Sequence, residues 1–153
     1  MTPDTTKTEL DLEHFLPYRL SVLSNRISQA IARIYAERFD LTITEWRIMA
    51  VLGRNTGLSA NAVADRTAMD KVAVSRAVAR MLDAGHLDRH LADGDRRRSE
   101  LSLSAAGRRV YQKVAPLALD LERQLLASLA REDHATLDRL LDRLLASVDH
   151  LAA

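Results

Sequence analysis

Lys71, Ser75, Arg76 and Arg80 follow one another at helical spacing, and no acidic side chain interrupts the chain from Lys71 to Leu82. Val74, Ala77, Val78 and Met81 form the complementary apolar face, so a helix from Lys71 to Ala84 turns its donors mainly to the other side. A surface of ammonium, hydroxyl and guanidinium groups is suited to anions. A second basic cluster, Arg96, Arg97 and Arg98, lies beside Asp95 between two short alternating segments. Guanidinium groups are seldom buried without partners, so packing gives little reason for this run. Contact with phosphates or a nucleic-acid groove would explain it; a solvated run paired with Asp93, Asp95 and Glu100 is the alternative.

Other chemistries find less support. The chain has no cysteine, which removes thiolate metal sites, disulfides and thiol nucleophiles. His14, His86, His90, His134 and His150 are scattered, without a neighbouring nucleophile and orienting acid. His86 and His90 are four apart, but across the entrance to a strand, where the helical spacing of metal ligands does not hold. Neither an enzyme site nor a metal or other cofactor is expected.

The elements that must position the basic residues can be read on either side of them. Asp70 is a candidate N-cap for the helix from Lys71, and Gly85 ends it where a left-handed residue is needed. Leu87 to Leu91 alternates like a half-buried strand, Asp93-Gly94 marks a reversal, and Glu100 to Leu103 alternates again. Upstream, Ser59 or Ala60 starts a short helix through Arg66, and Thr67 to Asp70 is a turn. The order is helix, turn, helix, strand, basic tip, strand. This is a winged helix-turn-helix.

Longer helices flank it. Residues 1–10 are polar, and a flexible arm is expected there. From Leu12 to Phe39, Leu16, Leu20, Leu23, Ile27, Ala30 or Ile31, and Ile34 recur as the seam of a long helix, with Pro17 near its start. Thr44 is a candidate cap for a helix from Glu45 to Arg54, with Trp46, Met49, Ala50 and Leu52 turned inward. After Gly107 a further helix carries Val110, Val114, Leu117, Leu121 and Leu125, and Pro116 should bend or divide it. The last helix, beginning at Glu132 or Asp133, carries a stripe from Leu137 to Leu151. The terminal helices hold more leucine than one small lobe can cover, and a second copy is the economical partner.

The 153 residues suit one domain, and 47% of them are apolar. The formal charge of +1 argues against a generally basic coat, so the local clusters carry the signal. No leader-like start or bilayer-length apolar run is present, and a cytoplasmic protein without a membrane partner is expected. The expected fold is mainly α with a small β-hairpin wing: an N-terminal dimerisation helix over 11–40, the winged helix-turn-helix over 41–104, and C-terminal dimerisation helices over 105–153.

Residues 41 to 107 resemble the winged helix-turn-helix of MarR-type bacterial transcriptional regulators. The matching residues are Leu41-Thr42, Trp46, Val74-Ser75-Arg76, Met81 to Gly85, and above all Asp95-x-Arg97 followed by Leu101-x-Leu103-Ser104-x-x-Gly107. The flanking helices agree in length and order. The resemblance implies a homodimer on double-stranded DNA with a pseudopalindromic operator, commonly acting as a repressor. It places Lys71, Ser75, Arg76 and Arg80 toward the major groove, with Ser59 and Asn61 on the short helix also facing DNA. Arg97, oriented by Asp95 and flanked by Arg96 and Arg98, would reach the minor groove.

The resemblance also implies a small-molecule effector between the dimerisation helices and the DNA-binding lobe. Candidates there are Tyr18, Val22, Arg26, Trp46 and Met49: Trp46 offers a flat surface, and Arg26 a charge for a carboxylate. Ordinary core packing for Trp46 and an ion pair for Arg26 are the alternatives. The segment Leu16 to Ile31 is similar to members that respond to hydroxycinnamates and acyl-CoA thioesters, which points to an aromatic carboxylate or its CoA ester. Thiol sensing, used by some members, is excluded by the missing cysteine. A different reading of the same fold is a protein-interaction module that does not bind DNA.

Overall fold

The computed structural model describes residues 8–91 and 99–151. A single 3-10 turn at Leu12–His14 precedes α1 (Leu16–Phe39), α2 (Ile43–Arg54), α3 (Ala60–Thr67) and α4 (Lys71–Asp83). An antiparallel hairpin of β1 (Leu87–Leu91) and β2 (Ser99–Leu103) follows, then α5 (Ala105–Leu126) and α6 (Arg131–Leu151). The chain divides into two compact units, Met1–Gln112 and Lys113–Ala153, and the division falls within α5.

In the first unit α2 packs on α1, α3 and α4, and β2 lies against α2 and α3. Its core is largely aliphatic: Leu41, Ile48, Met49, Leu52, Val63, Val74, Ala77, Val78, Met81, Leu87 and Leu101 are all buried, joined by the aromatic Tyr35. The four apolar residues expected on the inner face of α4 are its four buried residues. Gly85, at φ 75°, makes the left-handed exit from that helix.

Three sequence expectations need correction here. The long N-terminal helix does not begin at Leu12. Pro17 has no amide to return to the carbonyl of Glu13, so the chain breaks at extended Phe15 and α1 starts afresh with proline in its first turn. The cap of α2 is Thr42, not Thr44. Thr42 Oγ1 accepts the amide of Glu45 (3.2 Å) while Glu45 Oε2 accepts the amide of Thr42 (3.2 Å), a reciprocal pair that Thr44 lacks the glutamate to form. Strand β1 is buried only at Leu87, and Leu91 at its far end is exposed, so the expected alternation fails beyond the first residue.

The hairpin is braced at the free edge of β2 and at its base. Leu58 forms an isolated antiparallel bridge with Leu101, its carbonyl accepting the Leu101 amide at 2.7 Å. At the base, Ser104 Oγ donates to the Gly85 carbonyl (2.6 Å) and accepts the Gly107 amide (3.0 Å), while its own amide donates to the carbonyl of His86 (3.0 Å). One serine thus fastens the end of α4, the hairpin and the first turn of α5. A Cβ on Gly107 would sit 2.0 Å from the His86 carbonyl oxygen, so this contact requires glycine.

In the second unit α5 continues through Pro116 without being divided. The α5–α6 turn is held by His134, whose Nε2 lies 3.1 Å from the Leu126 carbonyl. A carbonyl only accepts, so this nitrogen carries the proton. No residue of α6 is buried, and Leu137, Leu140, Leu141, Leu144, Leu145, Val148 and Leu151 are all exposed on the single chain. Among the described residues, no helix is long and apolar enough to cross a membrane.

Candidate nucleic-acid interface and effector groove

The helix-turn-helix is built from two capped helices and one strained turn. Ser59 caps α3 by accepting the amide of Ala62 (3.1 Å), and Asp70 caps α4 by accepting that of Ala73 (2.9 Å). Between them Thr67 is buried and donates to the Ala64 carbonyl (2.9 Å), and Ala68 adopts the left-handed conformation at φ 52°.

This frame leaves Lys71, Ser75, Arg76 and Arg80 exposed along α4, with Ser59 and Asn61 exposed at the start of α3. Ser59 is already engaged as a cap, although its hydroxyl proton remains available to donate. Arg80 has a structural partner that sequence reasoning did not assign. Its Nε lies 2.8 Å from Oε1 of Glu45, and the Glu45 side chain is only 9% exposed while that of Arg80 is 57% exposed. The carboxylate that closes the capping box of α2 therefore also pairs with α4. Arg89, exposed on β1, is a further cation absent from the expected set. Asp95, Arg96, Arg97 and Arg98, with the expected Asp93-Gly94 reversal, lie outside the described residues.

The effector candidates do not gather in one place. Trp46 lines a cavity of about 410 Å³ between α1 and α2, together with Leu20, Leu23, Ser24, Ile27, Ser28, Ile31, Ile43 and Arg47. Tyr18, Val22 and Arg26 instead line a neighbouring groove of about 370 Å³ with Glu13 and Arg19, and Leu23 borders both. The reason is helical phase: residues 18, 22 and 26 form their own strip, while residues 20, 24, 27 and 31 turn toward α2. Met49 is fully buried and belongs to the core.

The cation beside Trp46 is Arg47, which sequence reasoning missed. Ile43, Trp46 and Arg47 share one face at three- and four-residue spacing, so the signal was there in the helical period. Trp46 is half-buried and also serves in packing. Its ring centroid is 5.3 Å from that of Tyr35, tilted at 53°, and 6.4 Å from that of Tyr111, nearly parallel at 20°. Gly53 gives Tyr111 its seat, because a Cβ there would meet the ring at 2.6 Å. Burial raises the pKa of the Tyr35 phenol above its ordinary value. Among the described residues, no three side chains come together as a metal site.

A model of the MarR family matches residues 39–98, which span α2 to the wing. None of the curated proteins compared with the chain matches it. Solved structures do. A MarR/EmrR family transcriptional regulator from Acinetobacter sp. ADP1 is 26% identical, with a TM-score of 0.85 over 92% of this chain and 99% of that one. A probable transcriptional regulator from Pseudomonas aeruginosa is 30% identical, with a TM-score of 0.73 over 87% of this chain and 98% of its own. The PcaV transcriptional regulator from Streptomyces coelicolor, solved in complex with its natural ligand, is 24% identical, with a TM-score of 0.74 over 92% of this chain and 98% of its own.

Proposed function

This chain belongs to the MarR family of winged-helix transcriptional regulators, and within that family we propose that it is a homodimeric repressor released from a pseudopalindromic operator by a small aromatic acid or its CoA thioester. The observation that carries the DNA reading is the division of α4. Its buried face is wholly apolar, while Lys71, Ser75 and Arg76 stand exposed with Arg80 behind them. Such a helix can lay donors along a major groove without loosening the core. Family membership favours this over an interaction module that ignores DNA.

The exposed leucines of α6 support the dimer, since a contiguous apolar stripe of this length is a natural interface for a second copy. In the dimer the two α4 helices would stand about one DNA turn apart, roughly 34 Å. The α1–α2 cavity supports the effector reading: apolar walls and the flat indole of Trp46 suit an aromatic ring, and Arg47 suits a carboxylate. PcaV, with the same fold, was solved with its natural ligand. Helix α2 packs on both α1 and α4, so a ligand that parts α1 from α2 can shift the reading helix. An effector favouring the DNA-incompetent form by about 1–3 kcal/mol would weaken operator binding roughly 5–150-fold.

The test is an electrophoretic shift with DNA upstream of the chain's own gene. Wild type should shift it; Arg76→Ala should cost about 1–3 kcal/mol and relax one base position, and Arg97→Ala should weaken binding more evenly and flatten the salt slope. Equal affinity for wild type and the double variant would reject the assignment. For the effector, calorimetric titration of hydroxycinnamates and their CoA esters should show weaker binding to the DNA complex than to free protein.

A further inference from the structure

Between Leu23 and Leu119 the described residues expose only two large apolar side chains, Val72 and Leu91. Val72 is 56% exposed and is the second residue of α4. Single exposed apolar residues are ordinary on protein surfaces. This one stands out for its type and its neighbours. A β-branched side chain is a poor choice for a solvent-facing helical position, where it loses rotamer freedom and gains no burial. It directly follows Lys71, and Ser75 and Arg76 are its neighbours at three and four residues along the same surface. The first turns of a recognition helix are the part that meets base edges. In the major groove only thymine offers an apolar group, its C5-methyl.

We propose that Val72 determines operator specificity by packing against a thymine methyl in each half-site. This rests on the reading of α4 as the DNA-reading helix. The valine methyls would lose their water against the thymine methyl, and the flanking Lys71, Ser75 and Arg76 would hold the phosphates and polar base edges around it. Losing one buried methyl group should weaken binding about fourfold per half-site, from the roughly 0.8 kcal/mol released on burying a CH₂.

The experiment uses the full chain and a duplex that it selects from a random-sequence library. Each thymine is replaced in turn by deoxyuridine, symmetrically in the two half-sites, and affinities are measured for wild type and Val72→Ala. The variant should fold normally, because alanine is the better helix former at an exposed position. The expected result is one symmetric thymine pair whose demethylation weakens wild type about 10- to 20-fold, and a Val72→Ala protein that binds the thymine and uracil duplexes alike. A selected site whose thymines are all indifferent to demethylation, or a Val72→Ala protein that keeps the wild-type preference, overturns the assignment while leaving DNA binding intact. A wild-type protein that selects no duplex overturns both.

Discussion

Arg80 of the recognition helix is paired at 2.8 Å with Glu45, the residue that also closes the capping box at the start of α2. The pair ties α4 to a carboxylate 35 residues earlier in the chain. Glu45→Ala removes both the cap interaction and the pair and should destabilise the fold by about 1–2 kcal/mol in a denaturant titration; the exposure of Arg80 keeps the pair's own share under about 1 kcal/mol. Glu45→Gln decides the role of the pair. Removing a negative charge near the proposed DNA face should by Coulomb's law alone tighten DNA binding, whereas loss of helix placement should weaken it. We expect weaker binding, and tighter binding would show that the carboxylate merely restrains Arg80.

Ala68 carries a left-handed backbone, at φ 52°, in the turn between α3 and α4. Residues with a Cβ pay for that conformation, so Ala68→Gly should raise stability by roughly 0.5–1 kcal/mol after allowing for the greater freedom of unfolded glycine. Thermal melting checks this, and an unchanged or lower melting temperature would contradict it.

Gly107→Ala should act in the opposite direction. The gain in helix propensity is about 1 kcal/mol. Against it stands a Cβ placed 2.0 Å from the His86 carbonyl oxygen, backbone that cannot turn aside. Net destabilisation of about 1–3 kcal/mol is expected, with the loss reaching DNA affinity because the same contact seats the hairpin. A stable variant with full affinity would mean that α5 can slide.

Tyr35 gives the fold a limit at high pH. Burial raises its pKa, so the folded protein holds the phenolic proton more tightly than the unfolded chain does. The resulting stability is complete below the pKa of the unfolded tyrosine, about 10, and is lost as pH rises through the higher folded value. Tyr35→Phe should remove that part of the alkaline loss, as read by unfolding at pH values on both sides of 10. An identical alkaline decline in the variant would place its cause elsewhere.

The order of elements from α2 to β2 was legible because each carries a strong local signal: the period of Val74, Ala77, Val78 and Met81, the stop at Gly85, and the alternation of Leu101 and Leu103. What escaped depends on pairings between distant residues. Thr42 and Thr44 look equally good as caps until Glu45 is seen answering one of them. Nothing near Arg80 announces Glu45, and the Leu58–Leu101 bridge joins segments whose sequences carry no mark of each other. The turn at Thr67 to Asp70 was expected, but an alanine at position 68 gives no sign of the left-handed backbone there. The effector candidates were chosen by residue type, which drew attention to Tyr18 and Arg26, whereas helical phase turns Leu20, Ser24 and Ile27 toward Trp46.

Trp46 is the only tryptophan in the chain, and it touches two of the three tyrosines. The protein therefore carries one native optical label, placed where α1 and α2 meet. Excitation absorbed by Tyr35 or Tyr111 can pass to the indole, so emission from a single residue reports the spacing among three helices. The raised pKa of Tyr35 also delays the formation of tyrosinate, a quencher of indole emission, to higher pH. Opening of the α1–α2 groove by a bound ring would change the polarity around that one emitter, so the movement can be followed in real time without modifying the chain.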